Sequence, residues 1–206
     1  MKFKNTQVYN IDGALRAMRN PLESWDKSDS CWISVNHNAK YVIGENDMKL
    51  AQKLIRAGSE HRKFMRQIFV SVDITAPAYF FAELDTYKVG TTRNSTSFMH
   101  KGVSKPFTLD DFELDCPDCT IKFVIDELNK LRDLYLESKD YSYFRRIRQL
   151  LPQSYLYTST VTMNYENLFN LCNQRENHRL VEWSRDFIDW AKTLPYTKDL
   201  IFLDKE

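Results

Sequence analysis

The stretch "RQLLPQSYLYTSTVTMNYENLFNLCNQR", Arg148 to Arg175, decides how this chain is read. Its first residues close a helix, because the position before Pro152 is pushed out of helical geometry. "SYLYTSTVTM" is rich in β-branched and aromatic residues and has strand propensity. From Asn164 the spacing becomes helical. Positions 164, 168, 171 and 175 share a narrow arc, so Leu168 and Leu171 form an apolar stripe with Asn164 at its start and Arg175 at its end. A guanidinium costs free energy to desolvate without an acceptor, so Arg175 either snorkels to water or meets an anionic or carbonyl-bearing group.

Upstream, the apolar positions 121, 124, 125, 128, 131 and 135 trace one face of a long helix from Thr120 to Leu136, and a second helix spans Tyr141 to Leu150. Downstream, a helix around 177–192 ends before Pro195. In the first half, a short strand near Gln7 to Tyr9 precedes a helix from Asp12 that Pro21 terminates. The polar, aromatic segment Leu22 to Tyr41 has no clear period and reads as loop with one short strand. "ENDMKLAQKLIRAG" is a helix with Asn46 or Asp47 as N-cap and Gly58 as its stop. Ile68 to Ile74 alternates as a strand, and Pro77 opens a largely buried helix. The run "VGTTRNSTSFMHKGVSKP" has loop composition. Helices outnumber strands, so the expected architecture is a single helix-rich α+β domain spanning 1–206, a mixed α/β layer structure.

Composition narrows the function. A hydrophobic fraction of 43% with 28% charged residues is globular, and 206 residues suffice for one core. Lys+Arg of 29 against Asp+Glu of 28 leaves no basic field for a nucleic-acid backbone. No apolar run has the length of a membrane span and "MKFKNTQVYN" lacks a signal-peptide segment, so a cytoplasmic protein is expected, with Cys31, Cys116, Cys119 and Cys172 as thiols. Five glycines include no phosphate-cradling loop.

Four constellations remain. "CPDC" at 116–119 has the spacing of a metal knuckle, but no second ligand pair completes it, which leaves two unconnected thiols before a helix. "FRRIRQ" supplies Arg145, Arg146 and Arg148, with 145 and 148 on one side. "EHRKFMR" places His61 in a basic, surface-type stretch. "TTRNSTSFMHK" combines hydroxyls with Arg93 and Lys101, a set suited to an anion. No metal site and no Ser-His-Asp, HExxH or paired-carboxylate pattern stands out.

Taken together, Arg148 to Arg175 resembles the C-terminal half of the flavin-dependent thymidylate synthases. Members of that family carry an arginine four residues before a proline, an extended segment, and a helix of the form N-x-x-x-L-x-N-x-x-N-x-R. Here Arg148 and Pro152, then Asn164, Leu168, Asn170, Asn173 and Arg175, fall in register without a gap. "ALRAMRNP" and the subsequent helix, strand and Pro-led helix resemble the front half more loosely.

The resemblance implies that Arg148 contacts the phosphate of a deoxyuridylate, Arg175 its pyrimidine carbonyls, and Asn170 the flavin. The family's signature R-H-R-x-x-S, with a later serine and arginine, becomes Thr86, Tyr87, Lys88, Thr91, Thr96 and Phe98 here, and its upstream glutamine becomes Glu83. By position, Tyr87, Lys88 and Thr91 would line the FAD, Thr96 would act with Arg175 in catalysis, and Ser97, Glu83 and Arg93 would bind nucleotide. Neutral Thr86 and Tyr87 cannot reproduce bidentate arginine contacts, and Phe98 removes one phosphate-binding charge that Arg93 could supply from nearby.

Three functions are compatible with this pattern. The first is a flavin enzyme that moves a one-carbon unit onto C5 of deoxyuridylate, with folate and NADPH as co-substrates. The second is a catalytically lapsed homologue that binds a pyrimidine nucleotide without flavin. The third is an interaction module. The resemblance further implies a homotetramer.

Overall fold

The computed structural model describes residues 1–35 and 37–203. Asn36, inside the segment expected to be mostly loop, and the last three positions lie outside the described residues. In chain order the strands are β1 (Lys2–Tyr9), β2 (Cys31–Val35), β3 (Asn38–Val42), β4 (Phe69–Pro77), β5 (Thr92–Ser95) and β6 (Leu156–Asn164). The helices are α1 (Ile11–Met18), α2 (Glu45–Arg56), α3 (Ala78–Leu84), α4 (Phe98–Lys101), α5 (Cys119–Ser138), α6 (Tyr141–Leu150), α7 (Tyr165–Arg175), α8 (Ile188–Lys192) and α9 (Thr197–Leu200). Short 3-10 turns and a π-helical turn at Glu182–Phe187 complete the set. This is the expected mixed, helix-rich α/β fold. Four strands form one sheet in the order β1-β4-β6-β5, and β2 pairs with β3 in a second, two-stranded sheet. Strand β4 shows the period two its sequence requires: Val70, Val72, Ile74 and Ala76 are fully buried, while Phe69 is exposed.

The chain divides into two compact units. The first comprises Met1–Lys2, Asp73–Thr86 and Arg93–Thr160. Its centre is an antiparallel helix pair, α5 and α6, with clear start signals. The Asp118 carboxylate accepts from Thr120 N and Ile121 N at 2.9 and 3.1 Å, and Asp140 accepts from Ser142 N at 2.8 Å. The pair buries Ile125, Leu128 and Leu131 of α5 and Phe144 and Ile147 of α6 against Phe98, Phe107 and Phe112. Burying side chains of this size stabilises by about 1.5–3 kcal/mol each before ordering costs.

The second unit comprises Phe3–Val72, Tyr87–Thr92 and Val161–Glu206. Here α1 and α7 both pack on the 3-10 turn Lys63–Gln67, and α2 packs on α9. Leu15, Met65, Leu168, Leu171, Trp183 and Phe187 are buried at its centre.

Local structure departs from the sequence expectations in several places: β1 is longer than expected, running from Lys2, and the helix expected around 177–192 is a π turn over Glu182–Phe187 followed by α8. The stop of α2 is as expected, but its N-cap is Gly44, and the Asp29 carboxylate caps the helix from outside by accepting from Asn46 N and Asp47 N at 2.8 and 3.0 Å. The segment expected to be loop with one short strand contains two paired strands, β2 and β3. The Ser/Thr-rich run after Lys88 contains β5 and the short α4, held where Thr96 N donates to Thr158 O at 2.8 Å.

Candidate functional site

Helix α7 starts with a reciprocal cap: Asn164 Oδ1 accepts from Asn167 N at 2.9 Å, and Asn167 Oδ1 accepts from Asn164 N at 3.4 Å. The same Asn167 donates through Nδ2 to Val89 O at 2.6 Å, which ties the 87–92 loop to the first turn of the helix. Gly90, at φ +77°, permits this approach, since a Cβ there would meet Asn164 Nδ2 at 2.6 Å and Asn167 Oδ1 at 2.9 Å.

At the other end of α7, Arg175 Nε donates to the Tyr87 hydroxyl at 3.1 Å, and Tyr87 donates to Gln174 Oε1 at 2.7 Å. The guanidinium carbon lies 5.4 Å from the Tyr87 ring centroid and 5.5 Å from that of Trp183. The apolar stripe therefore ends in a cation because two aromatic faces receive it.

Of the other residues expected here, Lys88 is exposed, Asn170 is half-buried on α7, and Thr91 has a buried Oγ1 without a hydrogen-bond partner among the described residues. Tyr87 and Arg175 are thus brought together by a contact that sequence spacing does not reveal.

The first turn of α7 also carries an ion cluster that sequence reading missed. Glu166 accepts from Arg62 Nε at 3.1 Å and from Arg66 Nε, and the Arg62 guanidinium lies 4.5 Å above the Phe169 ring. Burial disfavours the Glu166 carboxylate, but the hydrogen bonds from Arg66 and Arg62 outweigh it and hold its pKa below the usual range. His61 is exposed.

In the first unit, Arg148 is exposed at the last turn of α6. Its Nη1 donates to the Tyr157 hydroxyl at 3.1 Å, and its guanidinium sits 4.8 Å over the Phe98 ring. Among the described residues it makes no ion pair. Phe98, standing where the family pattern has an arginine, is buried in the aromatic cluster and supports a cation instead of supplying one.

Arg93 is committed elsewhere. Its Nε and Nη2 donate to the two Asp85 oxygens at 3.1 and 2.7 Å, its Nη1 to Ser159 Oγ at 3.4 Å, and it lies 4.8 Å over the Phe81 ring. Thr96 Oγ1 accepts from Thr158 N at 3.4 Å, Ser97 is exposed at the start of α4, and half-buried Glu83 accepts through its carbonyl from Thr86.

A cleft of about 760 Å³ involves none of these residues. It is lined by Arg19, Ser24, Asp26, Lys27, Ser28 and Asn46, among others. Two of these lining residues, Arg19 and Ser28, bond to Asp47, which is fully buried and accepts from Arg19 Nε at 2.6 Å, Ser28 Oγ at 2.6 Å and Ser30 Oγ at 2.5 Å. Burial works against the Asp47 charge, and the Ser28, Ser30 and Arg19 hydrogen bonds override it, keeping the pKa low. The residues are 28 and fewer positions apart with no motif between them, so sequence gives no signal of the cluster.

Cys116 and Cys119 are exposed thiols, and among the described residues no cluster of three His, Cys, Asp or Glu could hold a metal ion. No described helix is long and apolar enough to cross a membrane.

No family model matches the chain, and no curated protein matches it. Solved structures do. One, the flavin-dependent thymidylate synthase ThyX of Helicobacter pylori complexed with FAD and dUMP, superposes with a TM-score of 0.72 at 16% identity over 98% of each chain. A second structure of Helicobacter pylori ThyX with FAD and dUMP gives a TM-score of 0.70 at 17% identity over 100% of this chain and 98% of that one. The chain therefore has the fold of these flavin-dependent thymidylate synthases from end to end.

Proposed function

We propose that the protein binds a pyrimidine nucleotide, with Arg148 as the phosphate contact. The observation that carries this reading is Arg148. Its guanidinium is oriented by Tyr157 and Phe98 yet has no ion-pair partner among the described residues, so its charge is prearranged and not neutralised. Arg93, by contrast, is neutralised by Asp85 and adds little attraction for an anion while that pair stands. The end-to-end likeness to structures holding FAD and dUMP supports the same ligand class.

The residues around the 87–92 loop fit FAD poorly. To a diphosphate the loop itself offers the Lys88 cation and the buried, unpartnered hydroxyl of Thr91, while the Tyr87 hydroxyl is engaged by Gln174 and Arg175. Two phosphate charges ask for more than that. The favoured reading is therefore capture of nucleotide without flavin turnover, as a homo-oligomer in the cytoplasm. Flavin-dependent methylation of deoxyuridylate is the second reading, and the unpartnered Thr91 hydroxyl is the observation in its favour.

Calorimetric titration of the purified protein with dUMP, before and after incubation with FAD and removal of unbound flavin, tests both. Binding of dUMP by a colourless protein supports capture. Retained flavin absorbance together with tritium release from C5-labelled deoxyuridylate would establish the enzyme instead. No affinity for dUMP would leave the interaction module standing.

A further inference from the structure

Strands β2 and β3 form a hairpin in the register Cys31↔Val42, Trp32↔Tyr41, Ile33↔Lys40, Ser34↔Ala39 and Val35↔Asn38, and among the described residues it joins no other strand. Every residue of β2 is exposed, with Trp32, Ile33 and Val35 leaving 58%, 40% and 43% of their surface in solvent. An isolated two-stranded hairpin is marginal in water. Proteins also guard an open strand edge with lysine, proline, a bulge or a cover, because unpaired N–H and C=O groups are a template for another chain. Strand β2, Cys-Trp-Ile-Ser-Val, has no such guard. We propose that the free edge of β2 pairs antiparallel with β2 of a second copy, about a two-fold axis through Ile33, so that two hairpins join into one four-stranded sheet.

The strand is its own complement. In the register centred on Ile33, Trp32 stands opposite Ser34 of the second copy and Cys31 opposite its Val35, so the largest side chain meets a small one and all five residues are used. No charge faces a like charge. An isologous contact demands this self-complementarity, whereas an uncharged edge gives an unrelated strand nothing to read.

The size of the contact sets its strength. Five residues per copy fall well short of the roughly 20–30 a side in a standard stable interface. Association through this edge alone is therefore weak and concentration-dependent. The inference is independent of the nucleotide reading, since none of its residues belongs to that proposal.

The test uses the full chain with Cys31, Cys116 and Cys119 changed to serine. Ile33→Cys in this background should cross-link to itself when glutathione disulfide oxidises the two thiols. Opposed Cα atoms in an antiparallel pair are about 4.5–5.5 Å apart, inside disulfide range. Val35→Cys in the same background, facing serine, should cross-link at least tenfold less. Separately, Ile33→Lys and Ile33→Glu should each weaken association at least tenfold in sedimentation equilibrium, and an equal mixture of the two should recover it. Failure of Ile33→Cys to cross-link overturns the pairing. So does a mixture that fails to recover although both variants keep the parent's circular dichroism. If the charged variants misfold, the cysteine comparison decides alone.

Discussion

Asp85 and Arg93 form a two-pronged pair, Nε to Oδ1 at 3.1 Å and Nη2 to Oδ2 at 2.7 Å, eight residues apart across the turn after α3. This pair engages the cation that sequence reading offered as a substitute for the missing family arginine. Arg93→Ala should therefore change dUMP affinity less than about threefold. Asp85→Asn should release the guanidinium and tighten dUMP by up to about tenfold, within the range for a charge-assisted hydrogen bond. Calorimetric titration of both variants checks the pair of outcomes, and a large loss in Arg93→Ala would show that the ion pair opens for ligand.

Arg148→Ala should weaken dUMP by about 10–100-fold, matching roughly 1.5–3 kcal/mol for hydrogen bonds to a charged group. Tyr157→Phe removes only the hydroxyl that accepts from Nη1 at 3.1 Å, and should cost less than about tenfold. Equal losses in the two variants would mean that Tyr157, not the charge, is the ligand contact.

Asp47→Asn should destabilise the protein by about 3–5 kcal/mol at neutral pH, since it leaves Arg19, itself 5% exposed, without its charge partner. The pH dependence has a defined sign. The folded pKa of Asp47 lies below its ordinary value, so the stabilisation is complete above about pH 4–5 and drains as pH falls through the folded pKa. Urea melts from pH 6 to pH 2 should show a steeper fall for the parent than for Asp47→Asn.

Gly90→Ala should lower stability by about 1–3 kcal/mol and loosen the 87–92 loop, because alanine is strained at φ +77° and its Cβ would press on the Asn164 and Asn167 side chains. Hydrogen exchange at residues 87–92 reads the loosening directly. Unchanged protection would mean the loop tolerates a shifted cap.

Much of the fold is legible in the sequence where local signals are strong. Helix α6 spans Tyr141 to Leu150 as expected, and α5 extends the expected span by a residue or two at each end, since Asp118 and Asp140 cap them and apolar spacing gives the face. The β2–β3 pair is not legible, because every residue of β2 is exposed and no apolar alternation marks it. Strand β5, "TRNS", has loop composition, and its neighbour β6 lies more than sixty positions away. For the candidate site, Arg148 and Arg175 emerge from spacing and resemblance, while the groups that orient them do not. Tyr87 meets Arg175 across 88 positions, and Glu166 meets Arg62 across 104, so only the folded chain brings them together.

The π-helical turn Glu182–Phe187 sets Trp183, the ring beneath Arg175, in its place. A π turn holds one residue more than the α turn it replaces. Removing a single residue from this turn would restore ordinary winding and rotate the downstream helix by about 100° relative to the residues upstream of the turn. Arg175 would then keep its position on α7 and its Tyr87 face, but the Trp183 ring beside it would shift. Chain length in this short turn, as much as residue identity, therefore governs how that cation is presented.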